Sequence, residues 1–306
     1  MTLVNTSRRR GAGGWRRRRE RAIALLLLAA ATVSILTTAG IVFILFWEAV
    51  GFFSQVPLAD FLAGTRWTPL LEPRRFGVLP LVCGTLIVAL GALLIAVPVG
   101  VGTALYLSEF ASATTRKILK PVLEVLAGVP TVVYGYFALT FITPMLRALL
   151  PSTQVFNAAS AAIVVGVMVL PMVASLSDDA FKAVPRSLRN GGYALGGTSM
   201  EVSLGIVLPA ALSGIVAAFV LAFSRAVGET MAVTLAAGAT PKLTFNYLQS
   251  IQTMTAYIAQ VSQGDVPAGT LEYRSIFAVG ALLFAMTLSI NILANRILKR
   301  YREAYQ

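Results

Sequence analysis

Six stretches of this chain run for about 20 residues or more with little or no charge, the length an α-helix needs to cross the hydrocarbon core of a bilayer. They fall at about 22–47, 76–108, 125–146, 156–177, 202–238 and 275–295. The first is too long and too closely flanked by arginine for a cleaved signal peptide, and no A-x-A site followed by a polar segment appears after it. Composition points the same way. Hydrophobic residues make up 57% of the 306 and charged residues 12%, whereas soluble domains carry about 45–50% and about 25%. A soluble fold would lack the polar surface to cover such a core. The expectation is an all-α polytopic membrane protein with six transmembrane helices, kinked by Pro98 near the far end of the second and carrying Pro171 within the fourth.

Charge sets the orientation. The chain has 25 Lys and Arg against 13 Asp and Glu, and eight of the cations, from Arg8 to Arg21, sit in the first 21 residues. With the N-terminus in the cytoplasm, 18 cations fall inside, 6 outside and Arg225 within a span, so the positive-inside rule puts both termini in the cytoplasm. The chain then divides into a basic cytoplasmic tail (1–21), a transmembrane domain (22–300) with a cytoplasmic connection at 178–201, and a short C-terminal tail (301–306). The basic tail reads as a topology signal attracted to anionic lipid, and beside six spans it gives no reason to expect nucleic acid. On the outer side Trp67 suits an interfacial position. Arg74 and Arg75 read as solvated loop charges, with an anionic partner or substrate as the second reading. Leu248, Ile251, Met254, Ile258 and Val261 recur at helical spacing and predict a short amphipathic helix on the outer surface. Histidine is absent and Cys83 is the single cysteine, which excludes histidine acid–base chemistry, an intrachain disulfide and a cysteine-rich zinc site. Cys83 reads as a small apolar filler, and no cofactor is expected.

The cytoplasmic connection and its sequel read SDDAFKAVPRSLRNGGYALGGTSMEVSLGIVLPAALSGI. A short polar helix here carries Gly191, Gly192, Ala194 and Gly196, small residues that would let another backbone approach closely. Gly196 is followed ten residues later by Ile206, then by Leu208 and Pro209. This resembles the cytoplasmic EAA loop of ABC-importer permeases, whose pattern is E-A-A, three residues, Gly, nine residues, I-x-L-P. The part from Gly196 to Pro209 fits in full, whereas Asn190, Gly191 and Gly192 stand where the family has E-A-A. The stretches FGVLPLVCGTLIVAL, LYLSEFA, KPVLEVLAGVPTVVYGYFAL and AFSRAVGETMAVTLAAG are similar to the phosphate-specific (Pst) ABC importer, in particular its C-type permease subunit, over about residues 46–300. The resemblance implies a type I, MetI-like permease architecture in the cell (inner) membrane. It also implies a complex with a second, A-type permease, two cytoplasmic ATPase subunits and an external phosphate-binding protein. Asn190, Gly191, Gly192, Gly196, Ile206, Leu208 and Pro209 would then form the ATPase contact. The chain holds no G-x-x-x-x-G-K-[ST] loop, so the expectation is a transport subunit rather than an enzyme, with ATP hydrolysed on a separate subunit.

Arg225 and Glu229 are four residues apart in an apolar run, so one helix would bring them to one face. A charge inside a bilayer costs about 2.5–3.5 kcal/mol on insertion scales and faces a partner or a cavity. One reading is mutual neutralisation that fixes helix packing. The other is that Arg225 faces the translocation path and attracts the phosphate dianion through a guanidinium that stays protonated and bonds oxyanions in pairs. Glu229 would then hold Arg225 in place, with Ser224 and Thr230 as flanking hydrogen-bond donors. Glu124 is expected to pair with Lys120, one turn earlier. Three alternatives stay open: a permease for another oxyanion such as molybdate or sulfate, a secondary transporter using the Arg225/Glu229 pair, and a membrane scaffold or sensor.

Overall fold

Among residues 12–301, which the computed structural model describes, six helical stretches are long and apolar enough to cross a membrane. They are Arg19–Phe53, Leu79–Phe110, Thr131–Leu149, Ala158–Ala183, Ser199–Val227 and Leu271–Ala294. The arginines at 8–10 and residues 302–306, with the parts expected of the two tails there, lie outside the described residues.

Helix α1 (Ala12–Phe53) leads into a short helix α2 (Leu58–Ala63) and two antiparallel strands, β1 (Trp67–Thr68) and β2 (Arg75–Phe76), with Trp67 opposite Phe76. Helix α3 (Leu79–Leu105) makes the second crossing and widens into a π turn at Tyr106–Phe110. Helix α4 (Ala113–Gly128) is amphipathic and buries no residue. It stops because Val129 precedes Pro130, and the proline ring pushes its predecessor out of the helical region; Val129 has ψ 129°. The third crossing therefore begins at Thr131 rather than near Val125, as α5 (Thr131–Phe137), a π turn (Ala138–Ile142) and α6 (Thr143–Leu149). Helix α7 (Ala158–Ala183) is the fourth crossing. Two short helices follow, α8 (Arg186–Ala194) and α9 (Ser199–Val202), and then a π turn (Ser203–Val207) opens α10 (Leu208–Val227). The described residues end with α11 (Met231–Ala237), α12 (Met254–Gln263) and α13 (Leu271–Tyr301).

Of the three π turns among the described residues, two lie directly before a proline at a helix start, Pro144 and Pro209. A proline lacks the N–H and its ring crowds the carbonyl four residues back, and one wider turn upstream relieves both. The I-x-L-P segment thus has a local consequence: the helix changes gauge where the α8–α9 connection meets the fifth crossing. By contrast, α3 runs through Pro98 and α7 through Pro171 without interruption.

The centre of the bundle is the α3–α7 pair, flanked by α10, with α11 against α5. Ala89, Ala92, Ala96, Val165 and Val169 are fully buried there, side chains small or stiff enough for close approach. Helix α1 is the opposite case. It lies along α13, yet no residue of its apolar window is buried. An apolar surface of that size is stable only against lipid or another subunit.

At the β1–β2 end two expectations are corrected. Trp67 is not interfacial but 1% exposed, packed edge-on to Tyr257 with ring centroids 4.9 Å apart, because the short strand pair folds it inward onto α12. The segment around Leu248 and Ile251 is not a surface helix. The helix starts only at Met254, and the residues before it run extended into the bundle with Ile251 fully buried. They pass so close over α3 that a Cβ on Gly84 would stand 2.4 Å from the Gln252 carbonyl oxygen. Thr85 Oγ1 accepts from the Met254 N–H at 3.0 Å, a bond that lets apolar residues draw the backbone inside. Cys83 fills the same region, its thiol donating to the Thr244 carbonyl at 3.4 Å. Arg74 is exposed, as a solvated loop charge should be, and is also paired with Glu72 at 3.0 Å and with Glu272 of α13 at 2.7 Å.

Candidate functional site

Arg225 and Glu229 do not share a helix. Helix α10 ends at Val227, and Gly228 and Thr230 (φ −113°, ψ −63°) turn the chain before α11 begins. Glycine is a poor helix former, and the Glu229 carbonyl is taken from outside, by the Thr255 hydroxyl of the α12 region at 2.7 Å. The two charges are consequently compensated separately. Glu229 is 8% exposed and its Oε1 accepts the Ala232 N–H at 3.3 Å, so a carboxylate sits against the positive first turn of α11. Arg225 occupies the last turn of α10, where unpaired carbonyls favour a cation. Among the described residues no carboxylate comes within 4.0 Å of the Arg225 guanidinium. The physical reason for the separation is the helix break itself, which supplies one end of each polarity.

Arg225 is exposed and lines a cavity of about 280 Å³ together with Glu124 and Ala127 of α4 and Met168, Pro171 and Ser175 from the middle of α7. A second, smaller cavity of about 150 Å³ continues along the same wall, sharing Glu124 and Ser175 and reaching Lys120, Asp178 and Asp179. Of the flanking hydroxyls, Ser224 donates to Asn291 Oδ1 of α13 at 3.0 Å and Thr230 to the Gly228 carbonyl at 3.2 Å, so both protons are engaged within the protein.

At the α8 end the small residues divide into two groups. Gly192 is buried, and a Cβ there would stand 2.6 Å from Ile206 Cδ1 and 2.9 Å from Val202 Cγ2, so the close approach it permits is to the chain's own α9–α10 junction. Asn190, Gly191 and Gly196 are exposed. Gly196 has φ +84°, a conformation that other residues adopt only with strain, and it ends α8 so that Thr198 can cap α9 through a reciprocal bond with Glu201. Ile206 and Leu208 are half-buried and Pro209 is exposed. Beside them Tyr193 and Leu195 are 45% and 90% exposed, an apolar patch on a helix whose other face is covered.

Two clusters of charge at this end were not legible from spacing. Asp178 of α7, 3% exposed, binds Lys120 of α4 at 2.8 Å and also Lys182, so Lys120 does not pair with Glu124. The hydrogen bond to Asp178 raises the Lys120 ammonium above the usual lysine range. Glu109, in the π turn that ends α3, receives Arg189 of α8 through Nη2 at 2.9 Å and Nε at 3.3 Å. The only sequence signal was a carboxylate at the end of an apolar span, which must find a partner; which cation it finds, 80 residues away, is a matter of packing.

Residues 96–303 match the family described as binding-protein-dependent transport system inner membrane component. The chain is 34% identical over 228 residues to the probable ABC transporter permease protein YqgH of Bacillus subtilis, 74% of each chain. It is 33% identical over 266 residues to the phosphate transport system permease protein PstC of Xylella fastidiosa, 80% of each. In fold it resembles a chain from the crystal structure of a bacterial alginate ABC transporter in complex with an alginate pentasaccharide-bound periplasmic protein. The TM-score is 0.62 at 17% identity, covering 92% of this chain and 96% of that one.

Proposed function

Because the chain belongs to the family of inner-membrane components of binding-protein-dependent transport systems, we propose that Arg225 draws phosphate through it and that α8 couples it to ATP hydrolysis. The chain is the multi-pass membrane permease of an ATP-driven phosphate importer. The observation that carries the role of Arg225 is its place on the 280 Å³ cavity with, among the described residues, no carboxylate within 4.0 Å of its guanidinium. A guanidinium there can offer two parallel N–H donors to phosphate oxygens. Glu124, on the same cavity, weakens the field so that the anion is released rather than trapped, as passage requires.

The rest of the complex follows from the same reading. This permease forms half of a path completed by a second, homologous A-type permease. An external phosphate-binding protein delivers the anion at the β1–β2 end. Two ATPase subunits meet the 178–201 connection from the cytoplasm, where Tyr193 and Leu195 offer apolar contact. Both termini lie on that side, consistent with 18 cations against 6.

Radiolabelled phosphate uptake, normalised to membrane-inserted protein, tests the central role. Arg225→Gln should lower uptake about a hundredfold, the scale of losing a charged hydrogen-bond pair of roughly 3 kcal/mol, while the complex still assembles. Arg225→Lys should recover only part of it, since the charge stays and the fork is lost. Adding Glu229→Gln should restore nothing, because Glu229 is held by α11. Substantial uptake by that double variant would sink the substrate role and leave two structural charges.

A further inference from the structure

Resting on the reading of α8 as the ATPase contact, we infer that the Glu109–Arg189 pair is the strut that carries movement of α8 into the transmembrane helix α3. The Arg189 guanidinium ties α8 to two other elements. Two of its nitrogens bind the Glu109 carboxylate side-on at 2.9 and 3.3 Å. Nη1 donates to the Val184 carbonyl at 2.6 Å and Nη2 to the Phe181 carbonyl at 2.8 Å, the latter also accepting the Val184 N–H at the end of α7. The side chains of Arg189 and Glu109 are only 16% and 9% exposed. Removing either leaves a charge with little water to replace its partner.

The geometry around the pair decides where force goes. Helix α8 has nine residues, too few to hold a position by itself, and Gly192 is its only buried residue. Forward along the chain it is followed by Gly196 at φ +84° and by Gly197, whose N–H groups bond the Tyr193 and Gly192 carbonyls, and Gly192 itself packs on Val202 and Ile206 at the α9–α10 junction. Backward it joins α7 through Val184 and Pro185, and sideways it joins α3 through Arg189. Movement of α8 therefore reaches α10 through the packing at Gly192, and reaches α3 and α7, which pack on each other more extensively than any other pair, through the Arg189 side chain. Met168, Pro171 and Ser175 on α7 form one wall of the Arg225 cavity, while Arg225 itself rides on α10. A displacement of α8 thus reaches both walls of the cavity, α10 directly and α7 through the strut on α3, and loss of the strut leaves the α7 wall behind. Glu109 and Arg189 act as positioning residues and touch no substrate.

The test uses the whole importer, reconstituted in vesicles with its ATPase subunits and external binding protein, and measures phosphate taken up per ATP hydrolysed. Glu109→Gln and Arg189→Gln should leave ATP hydrolysis running while phosphate per ATP falls about tenfold, within the usual range of coupling between linked sites. Arg189→Lys should fall between, keeping the charge and losing the fork. The exchange of both, Glu109→Arg with Arg189→Glu, should recover part of the ratio. If a single variant lowers assembly, Glu109→Asp, which keeps the charge on a shorter arm, should assemble and still show the lowered ratio. A lower yield of complex with an unchanged ratio in the assembled fraction would overturn the strut and leave a packing contact. Failure of the unaltered complex to take up phosphate would instead count against the phosphate reading itself, whereas normal uptake with full coupling in Glu109→Gln removes only the strut.

Discussion

The charges at the α10–α11 break and those at the α8 end solve the same problem in opposite ways. At the α8 end each buried carboxylate is closed by a cation from another element: Glu109 by Arg189, and Asp178 by Lys120 as well as by Lys182 of its own helix. At the break, Glu229 and Arg225 are compensated by the ends of α11 and α10 and not by each other. Closed pairs fasten helices together, because neither partner can leave without stranding the other. A cation stabilised by a helix end keeps its donors for something else. On the reading proposed above, the difference separates the parts of this chain that transmit force from the part that meets an anion.

The sharpest way to break the comparison is a pair of double-mutant cycles read from thermal unfolding of the solubilised complex. Glu109→Gln with Arg189→Gln should show a coupling energy of about 1–3 kcal/mol, as for residues in one ion-paired network. Arg225→Gln with Glu229→Gln should be additive within about 0.5 kcal/mol. Equal coupling in the two cycles would erase the distinction.

A smaller effect is expected at Asp178. Asp178→Asn strands two ammonium groups, but both lysine side chains are about 40% exposed. The cost should therefore be about 1–2 kcal/mol rather than the roughly 3–5 kcal/mol of a fully buried pair. The pH dependence follows from Lys120, whose folded value is raised by its hydrogen bond to Asp178. A raised value contributes stability that is present in full below the ordinary lysine pKa of about 10.4 and disappears as pH climbs through the folded value. The difference between the unaltered chain and Lys120→Gln should stay flat across neutral pH and shrink only in strong alkali. A difference that shrinks near neutrality would show that the tie is not formed.

The smallest effect sharpens the role of Glu229. Glu229→Gln keeps an oxygen for the Ala232 N–H and should cost only a few tenths of a kcal/mol, while Glu229→Ala loses the bond and should cost about 1 kcal/mol. A loss from Gln as large as that from Ala would mean that the negative charge, and hence a partner such as Arg225, matters more than the helix start.

What the sequence by itself determined about this protein is everything that a segment settles alone. Whether 20 apolar residues belong in a bilayer depends on their own transfer free energy, so the six crossings were legible. The I-x-L-P motif after Gly196 was legible for the same reason, since a proline, and a glycine at positive φ, act on their own few residues. Only the tertiary structure decided where charges and aromatic rings end up. Val129 and Pro130 cut the third crossing short by a local rule that was there to be read, but the end of α10 at Val227 depends also on the Thr255 hydroxyl from another part of the chain. Trp67 is amphipathic enough for an interface and was drawn inside by Tyr257, 190 residues away. Glu124 stood one turn from Lys120, yet Asp178 took the lysine, because a buried carboxylate gains more from a cation than an exposed one. Transfer into a membrane is a sum over neighbours in sequence, whereas the pairing of buried charges is a competition among neighbours in space.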